Sequence, residues 1–155
     1  GHSGMDFAVI WENEPITFTR GSAPKKFLSN IQMEDMYLID TGMPDQATPE
    51  LVAWVKNRST ELKPIFQEIG NCTKNLLAGA PLHQIIRRHH QAQIALVVVP
   101  KNVQFFIEEI EALGGSGKII GAGGITGGGG TLVSIGIAKE SVKKLVQKFS
   151  FSFVS

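Results

Sequence analysis

The sequence predicts an α+β domain with a mainly antiparallel sheet. Three observations carry that prediction. Short apolar stretches bounded by turn residues occur towards both ends of the chain, a long middle section follows helical periodicity, and a last helical pattern leads into alternating phenylalanines. The 155 residues suit one domain with a real core, expected over residues 1–155, with no internal repeat and no linker.

The elements are expected in this order. Residues 7–11 (FAVIW) are rich in β-formers, residues 12–15 have turn chemistry, and residues 16–19 resume a strand. Residues 36–40 read as a short apolar strand closing at Thr41, Gly42, Met43 and Pro44. A helix is expected after Thr48, with Thr48 as N-cap, Pro49 at the first helical position and Glu50 at the positive helix end. Its stripe of Leu51, Val52 and Val55 continues through Leu62, Ile65, Phe66 and Ile69, and Pro64 is expected to kink or divide it. Helical patterning breaks at Gly79, Ala80 and Pro81 and resumes through Leu82, Ile85, Ile86, His89 and Gln93. Residues 96–100 read as extended. Val103, Phe106, Ile107, Ile110 and Leu113 match a helix that Gly114 and Gly115 stop. Lys118, Ile119 and Ile120 enter a glycine cluster as a strand, and residues 131–135 leave it as another. Residues 139–148 form the last helix, and Phe149, Phe151 and Phe153 alternate as in a final strand.

Composition excludes some function classes. A net charge of +1 gives no electrostatic case for nucleic acid or a membrane surface. No apolar run approaches the length of a bilayer-spanning helix, and no signal-peptide pattern is present. Cys72 is alone, which rules out an intrachain disulfide and favours a reducing, cytoplasmic setting.

The chemistry-bearing motifs are few. The cluster from Gly121 to Gly130 holds seven glycines in ten residues, so its backbone can approach a ligand closely and its N–H groups can form an anion-binding nest; a flexible hairpin loop is the alternative. It is no Rossmann fingerprint, because a strand pattern follows it, and no Walker loop, because no Gly-Lys-Ser/Thr follows. Asp6 follows Ser3 and Gly4 at the start of an expected strand, where a carboxylate acts as general base or is simply solvated. His89 and His90 are neighbours on a helix and point apart, and His83 and His90 lack a third ligand, so no metal site is expected. Thr48, at a helix start, sits where side chains and N–H groups meet an anionic substrate.

Four collinear stretches resemble the C-terminal half of a GHMP-superfamily small-molecule kinase, most closely the bacterial type of mevalonate kinase. They are Ser3-Gly4-Met5-Asp6-Phe7-Ala8-Val9, the hairpin-like residues 11–18, the segment from Tyr37 to Pro44 with Thr48 and residues 51–53, and Gly117-Lys118-Ile119-Ile120-Gly121-Ala122-Gly123-Gly124 continuing to Gly130. The resemblance implies a ferredoxin-like domain of four antiparallel strands with helices on one face. It implies that Asp6 is the catalytic aspartate, orienting or deprotonating the alcohol that attacks the γ-phosphate of ATP. Ser3 and Gly4 would shape the turn presenting it, and Thr48 would lie near the substrate. Lys118, Gly121, Ala122, Gly123 and Gly124 would support the nucleotide's phosphate loop. ATP and Mg²⁺ are then expected to bind mainly through an N-terminal half with no counterpart in this sequence, leaving this portion inactive alone.

The implied activity is phosphorylation of mevalonate to 5-phosphomevalonate in isoprenoid biosynthesis. The implied partners are a small alcohol and ATP, with association, as a homodimer or otherwise, through the face the other half would cover. The sequence departs from the family pattern at four places. His2 replaces proline, Asn13-Glu14 replaces a glycine pair, Ile125-Thr126 lengthens the loop, and one extra residue separates Pro44 from Thr48. The alternatives are phosphomevalonate kinase, homoserine kinase, galactokinase, mevalonate diphosphate decarboxylase, or a non-catalytic ferredoxin-like binding module starting at Met5.

Overall fold

The computed structural model describes residues 5–19, 21–27 and 35–154. The chain divides into two units, Gly1–Gln32 and Met33–Ser155.

The first unit holds a helix, α1 (Met5–Glu12), and two short strands, β1 (Ile16–Thr17) and β2 (Lys25–Lys26), paired antiparallel. This corrects the expected strand at residues 7–11 and the hairpin at 11–18. Ile16 and Thr17 pair with Lys26 and Lys25 instead, and residues 7–11, without a ladder among the described residues, satisfy their backbone groups within a helix. Asn13 ends that helix in the left-handed region (φ 49°), its N–H donating to Val9 O at 3.1 Å.

The second unit runs β3 (Tyr37–Asp40), α2 (Thr48–Asn57), α3 (Lys63–Leu77), α4 (Leu82–Ala95), α5 (Lys101–Ala112), β4 (Ser116–Ile119), β5 (Thr131–Ile135), α6 (Lys139–Lys148) and β6 (Ser152–Phe153). The four strands form one sheet in the order β4-β5-β3-β6, every neighbouring pair antiparallel. Numbered within the sheet that is 2-3-1-4, the ferredoxin-like arrangement, in which helical segments join β3 to β4 and β5 to β6.

Side-chain alternation assigns the two faces. Ile39, Leu132 and Ile119 share a row across the sheet and enter the main core with Val103, Phe106, Ile107 and Ile110 of α5 and Val142, Leu145 and Val146 of α6. Phe149 and Phe151 meet Phe106 edge-on, at 5.3 and 5.0 Å between centroids, contacts worth about 0.5–1.5 kcal/mol each beyond burial. The phenylalanine alternation therefore reports core packing more than strand: Phe149 caps α6, and β6 is only Ser152 and Phe153.

The resemblance places helices on one face, where α5 and α6 lie. α4 adds a layer on the other, with Leu82 and Ile86 packed on Val133 and Ile135. It also closes the edge of the sheet at β4. Arg87 donates to Gly115 O (2.6 Å) and Ser116 Oγ (3.0 Å), and Gln93 donates to Ile119 O (2.9 Å).

Other expectations need adjustment. Pro64 does divide the helix, standing in the first turn of α3. Thr48 is not the N-cap: Ala47 is, and the Glu50 carboxylate accepts from its N–H at 3.2 Å. Residues 96–100 are no strand. The end of α4 turns sharply: Val97 N–H donates to Ile94 O, Val98 N–H to Gln93 O, and Val97 adopts φ 60°. That is a Schellman stop with valine where glycine is usual. Leu113 caps α5 and is exposed rather than part of its buried stripe.

Candidate functional site

The glycine cluster is neither an open nest nor a floppy hairpin. It is clamped to the connection between β3 and α2. Gly128 N–H donates to Met43 O (2.8 Å), Gly130 N–H to Gly42 O (2.9 Å), and Asp45 N–H to Thr126 O (3.1 Å). Two side chains complete the clamp. Thr41, nearly fully buried, donates through Oγ1 to Gly130 O (2.8 Å) and accepts there from Gly129 N–H (3.0 Å). Gln46 accepts through Oε1 from the N–H groups of Ile125 (2.8 Å) and Thr126 (3.2 Å) and donates to Thr126 Oγ1 (2.8 Å).

A third anchor comes from the turn after α4. Val98 O accepts from Gly124 N–H at 2.9 Å, so the strained Val97 aims this carbonyl at the loop. The glycines are required here. A Cβ on Gly123 would strike Val98 O, and one on Gly128 would strike Gly42 O, both unyielding backbone atoms.

The donors of Gly124, Ile125, Thr126, Gly128, Gly129 and Gly130 are thus committed to the protein's own acceptors. The loop is a rigid support, presenting Gly121 and Ala122 outward. These two help line a trough of about 450 Å³ with Leu51, Val55, His89 and Gln93. It is largely apolar, with Lys56 at its wall. Gln93 is buried, its Oε1 without a partner.

The residues singled out in the sequence are placed as follows. Gly121, Ala122, Gly123 and Gly124 form the first part of the clamped loop. Thr48 opens α2, two residues after Gln46 reaches into that loop, and is exposed. Lys118 sits in β4 and turns away from the loop, into a cavity with Cys72 and His89; its Nζ donates to Ile119 O at 2.9 Å. Burial pushes the Lys118 amine below its usual range. Ser3 and Gly4 lie outside the described residues. Asp6 lies in α1 of the first unit, and its side chain is outside them as well.

The histidines have separate tasks. His83 Nδ1 meets Ser116 Oγ at 3.1 Å. His90 is buried, and desolvation, with help from His89 and Lys118, lowers its pKa to about 4. Among the described residues no three His, Cys, Asp or Glu side chains gather to hold a metal ion.

Thr41 and Gln46 are the site residues that sequence reasoning misses. Thr41 stands within a noted segment, yet its bond to residues almost ninety positions away leaves no local signal, and Gln46 leaves none at all.

This topology, with its clamped loop, matches part of several solved structures, mevalonate kinases among them. A Lin0012 protein from Listeria innocua aligns over 85% of this chain and 41% of its own, with a TM-score of 0.66 and 17% identity. A mevalonate kinase aligns over 87% of this chain and 44% of its own, with a TM-score of 0.66 and 19% identity. The Methanococcus jannaschii mevalonate kinase aligns over 90% and 47%, with a TM-score of 0.61 and 16% identity. The chain thus spans less than half the length of these structures, and the likeness is one of fold. No protein-family model and no curated protein sequence matches it.

Proposed function

We propose that this chain is the acceptor-side portion of an ATP-dependent kinase acting on a small alcohol, with mevalonate the favoured substrate. The observation that carries the reading is the glycine loop, fixed by Thr41, Gln46 and Val98 at the end of a ferredoxin-like sheet whose fold matches mevalonate kinases. In phosphoryl transfer the protein contributes mostly positioning and charge stabilisation, and a loop held by ten protein hydrogen bonds is suited to positioning. Asp6 would orient or deprotonate the acceptor hydroxyl, with Ser3 and Gly4 setting its turn and Thr48 near the acceptor.

The described residues do not themselves fit ATP or Mg²⁺. The N–H groups of Gly124, Ile125, Thr126, Gly128, Gly129 and Gly130 are committed within the protein, and among the described residues no His, Cys, Asp or Glu cluster gathers for a divalent ion. On this reading both bind chiefly through a complementary nucleotide-binding half, and a cytoplasmic setting suits a soluble metabolite as acceptor.

The test is transfer of labelled γ-phosphate from ATP to mevalonate, phosphomevalonate, homoserine and galactose. The complete reading frame encoding this chain should phosphorylate mevalonate in preference to the others, and the 155-residue chain alone should phosphorylate none. Turnover by the isolated chain would overturn the division of labour, and a preference for another acceptor would reassign the substrate. Without any transfer, the alternative of a non-catalytic binding module stands.

A further inference from the structure

We propose that the cavity between α3, α4 and β4 binds a small aliphatic carboxylate, with the Lys118 ammonium as its cationic partner and His89 beside it. This inference does not depend on the kinase reading. The cavity has a volume of about 210 Å³, and Lys118, His89, Cys72, Leu76, Leu82 and Ile86 are among its lining residues. At ~30 Å³ per water that is the room of about seven waters, enough for a carboxylate with a short alkyl tail and too little for a nucleotide.

Charge argues for the sign of the ligand. Lys118 comes from the face of β4 that α4 covers, and its Nζ is bonded to a neutral acceptor, Ile119 O. None of the ion pairs among the described residues includes it. The acid acting on this region is Glu68, which influences the Cys72 thiol but is held by Arg88 at 2.7 Å. His89 and His90 both lie within electrostatic reach of Lys118, so the surroundings of the amine are cationic or neutral. A half-buried ammonium with no anion carries a desolvation cost, and a carboxylate entering the cavity offsets it.

Placement and shape agree. His89 lines the cavity beside Lys118, so its imidazole stands next to the place a carboxylate would take. Leu76, Leu82, Ile85 and Ile86 give the tail an apolar wall. His89 also lines the trough beside Gly121 and Ala122, so a ligand here would touch the same side chain that faces the candidate site.

The experiment titrates butyrate into the 155-residue chain and follows backbone amide shifts by NMR, with butyramide as the uncharged control of the same shape. Butyrate is expected to give saturable shifts centred on His89, Lys118 and Ile119, and butyramide to bind at least tenfold more weakly. Lys118→Met should weaken butyrate roughly ten- to a hundredfold, the loss of one charge-assisted hydrogen bond. Equal binding of butyrate and butyramide, no saturable shift at millimolar butyrate, or full binding by a folded Lys118→Met variant would each overturn the proposal. If that variant does not fold, the comparison of the two ligands on the native chain decides.

Discussion

Replacing Thr41 with valine isolates the clamp on the glycine loop. Valine keeps the shape and the strand-compatible branching, and removes only the hydroxyl. Two hydrogen bonds go, but their losses differ. Gly130 O keeps a second donor, the Thr41 backbone N–H at 3.0 Å, so it stays satisfied. Gly129 N–H loses the Thr41 Oγ1 acceptor at 3.0 Å in a buried setting. The lost bonds contribute about 1 kcal/mol and the stranded donor about 1–2 kcal/mol more, giving ~2–3 kcal/mol in total. For a domain of this size that corresponds to a fall in Tm of roughly 4–10 °C. Urea unfolding measures it as a lowered midpoint at unchanged slope. Thr41→Ser keeps the hydroxyl and should lose less than half as much. A valine variant as stable as the parent, or a serine variant equally damaged, would show that the hydroxyl does not hold the loop.

Three further outcomes follow from the same geometry. Gly128→Ala drives a Cβ against the backbone carbonyls of Gly42 and Thr41, and should cost about 1–3 kcal/mol or more in urea unfolding, since neither carbonyl can move aside. Val97→Gly relieves ~1–2 kcal/mol of left-handed strain at a β-branched residue that is 42% exposed, but costs glycine's ~0.5–1 kcal/mol of entropy and about 1 kcal/mol of side-chain burial, so the urea midpoint should move by less than about 1 kcal/mol, whereas Val97→Ala, which keeps the strain, should be the less stable of the two. His90 has its pKa lowered to about 4 by burial first, then by His89 and Lys118, so between the unfolded value near 6.5 and 4 the unfolded chain binds more protons. Stability is therefore unaffected by this group above pH 6.5 and falls as pH drops towards 4, by up to ~3 kcal/mol; a pH series of urea midpoints should show this slope, reduced in His90→Gln.

Much of the second unit was legible because local pattern and tertiary role coincide there. The stripe of Val103, Phe106, Ile107 and Ile110 is the buried face of α5, and residues 139–148 are the whole of α6. Residues 131–135 form β5 as their β-branched pattern requires. In the failures the deciding interaction was absent, distant, or a local backbone bond that overrode side-chain propensity. Residues 7–11 have strand composition but no strand beside them among the described residues, and they coil into α1. Val97 and Val98 look extended, yet the chain must reverse there between α4 and α5, and backbone bonds to Ile94 and Gln93 overrule β-propensity. Thr48 gave a sound local cap signal, and Ala47 with the reach of Glu50 displaced it by one residue. The glycine loop was visible as composition, but its meaning was not. Whether its donors face a ligand or the protein depends on Thr41, Gln46 and Val98, all remote in sequence.

The most direct test of the proposed function is the effect of Asp6→Asn on phosphoryl transfer from ATP to mevalonate by the complete reading frame. If Asp6 orients or deprotonates the acceptor hydroxyl, kcat should fall by roughly 10²–10⁴-fold, with KM for mevalonate little changed and the urea midpoint intact. Activity retained in Asp6→Asn would contradict the assignment of the catalytic carboxylate and, with it, the reading of this chain as the acceptor side of an alcohol kinase.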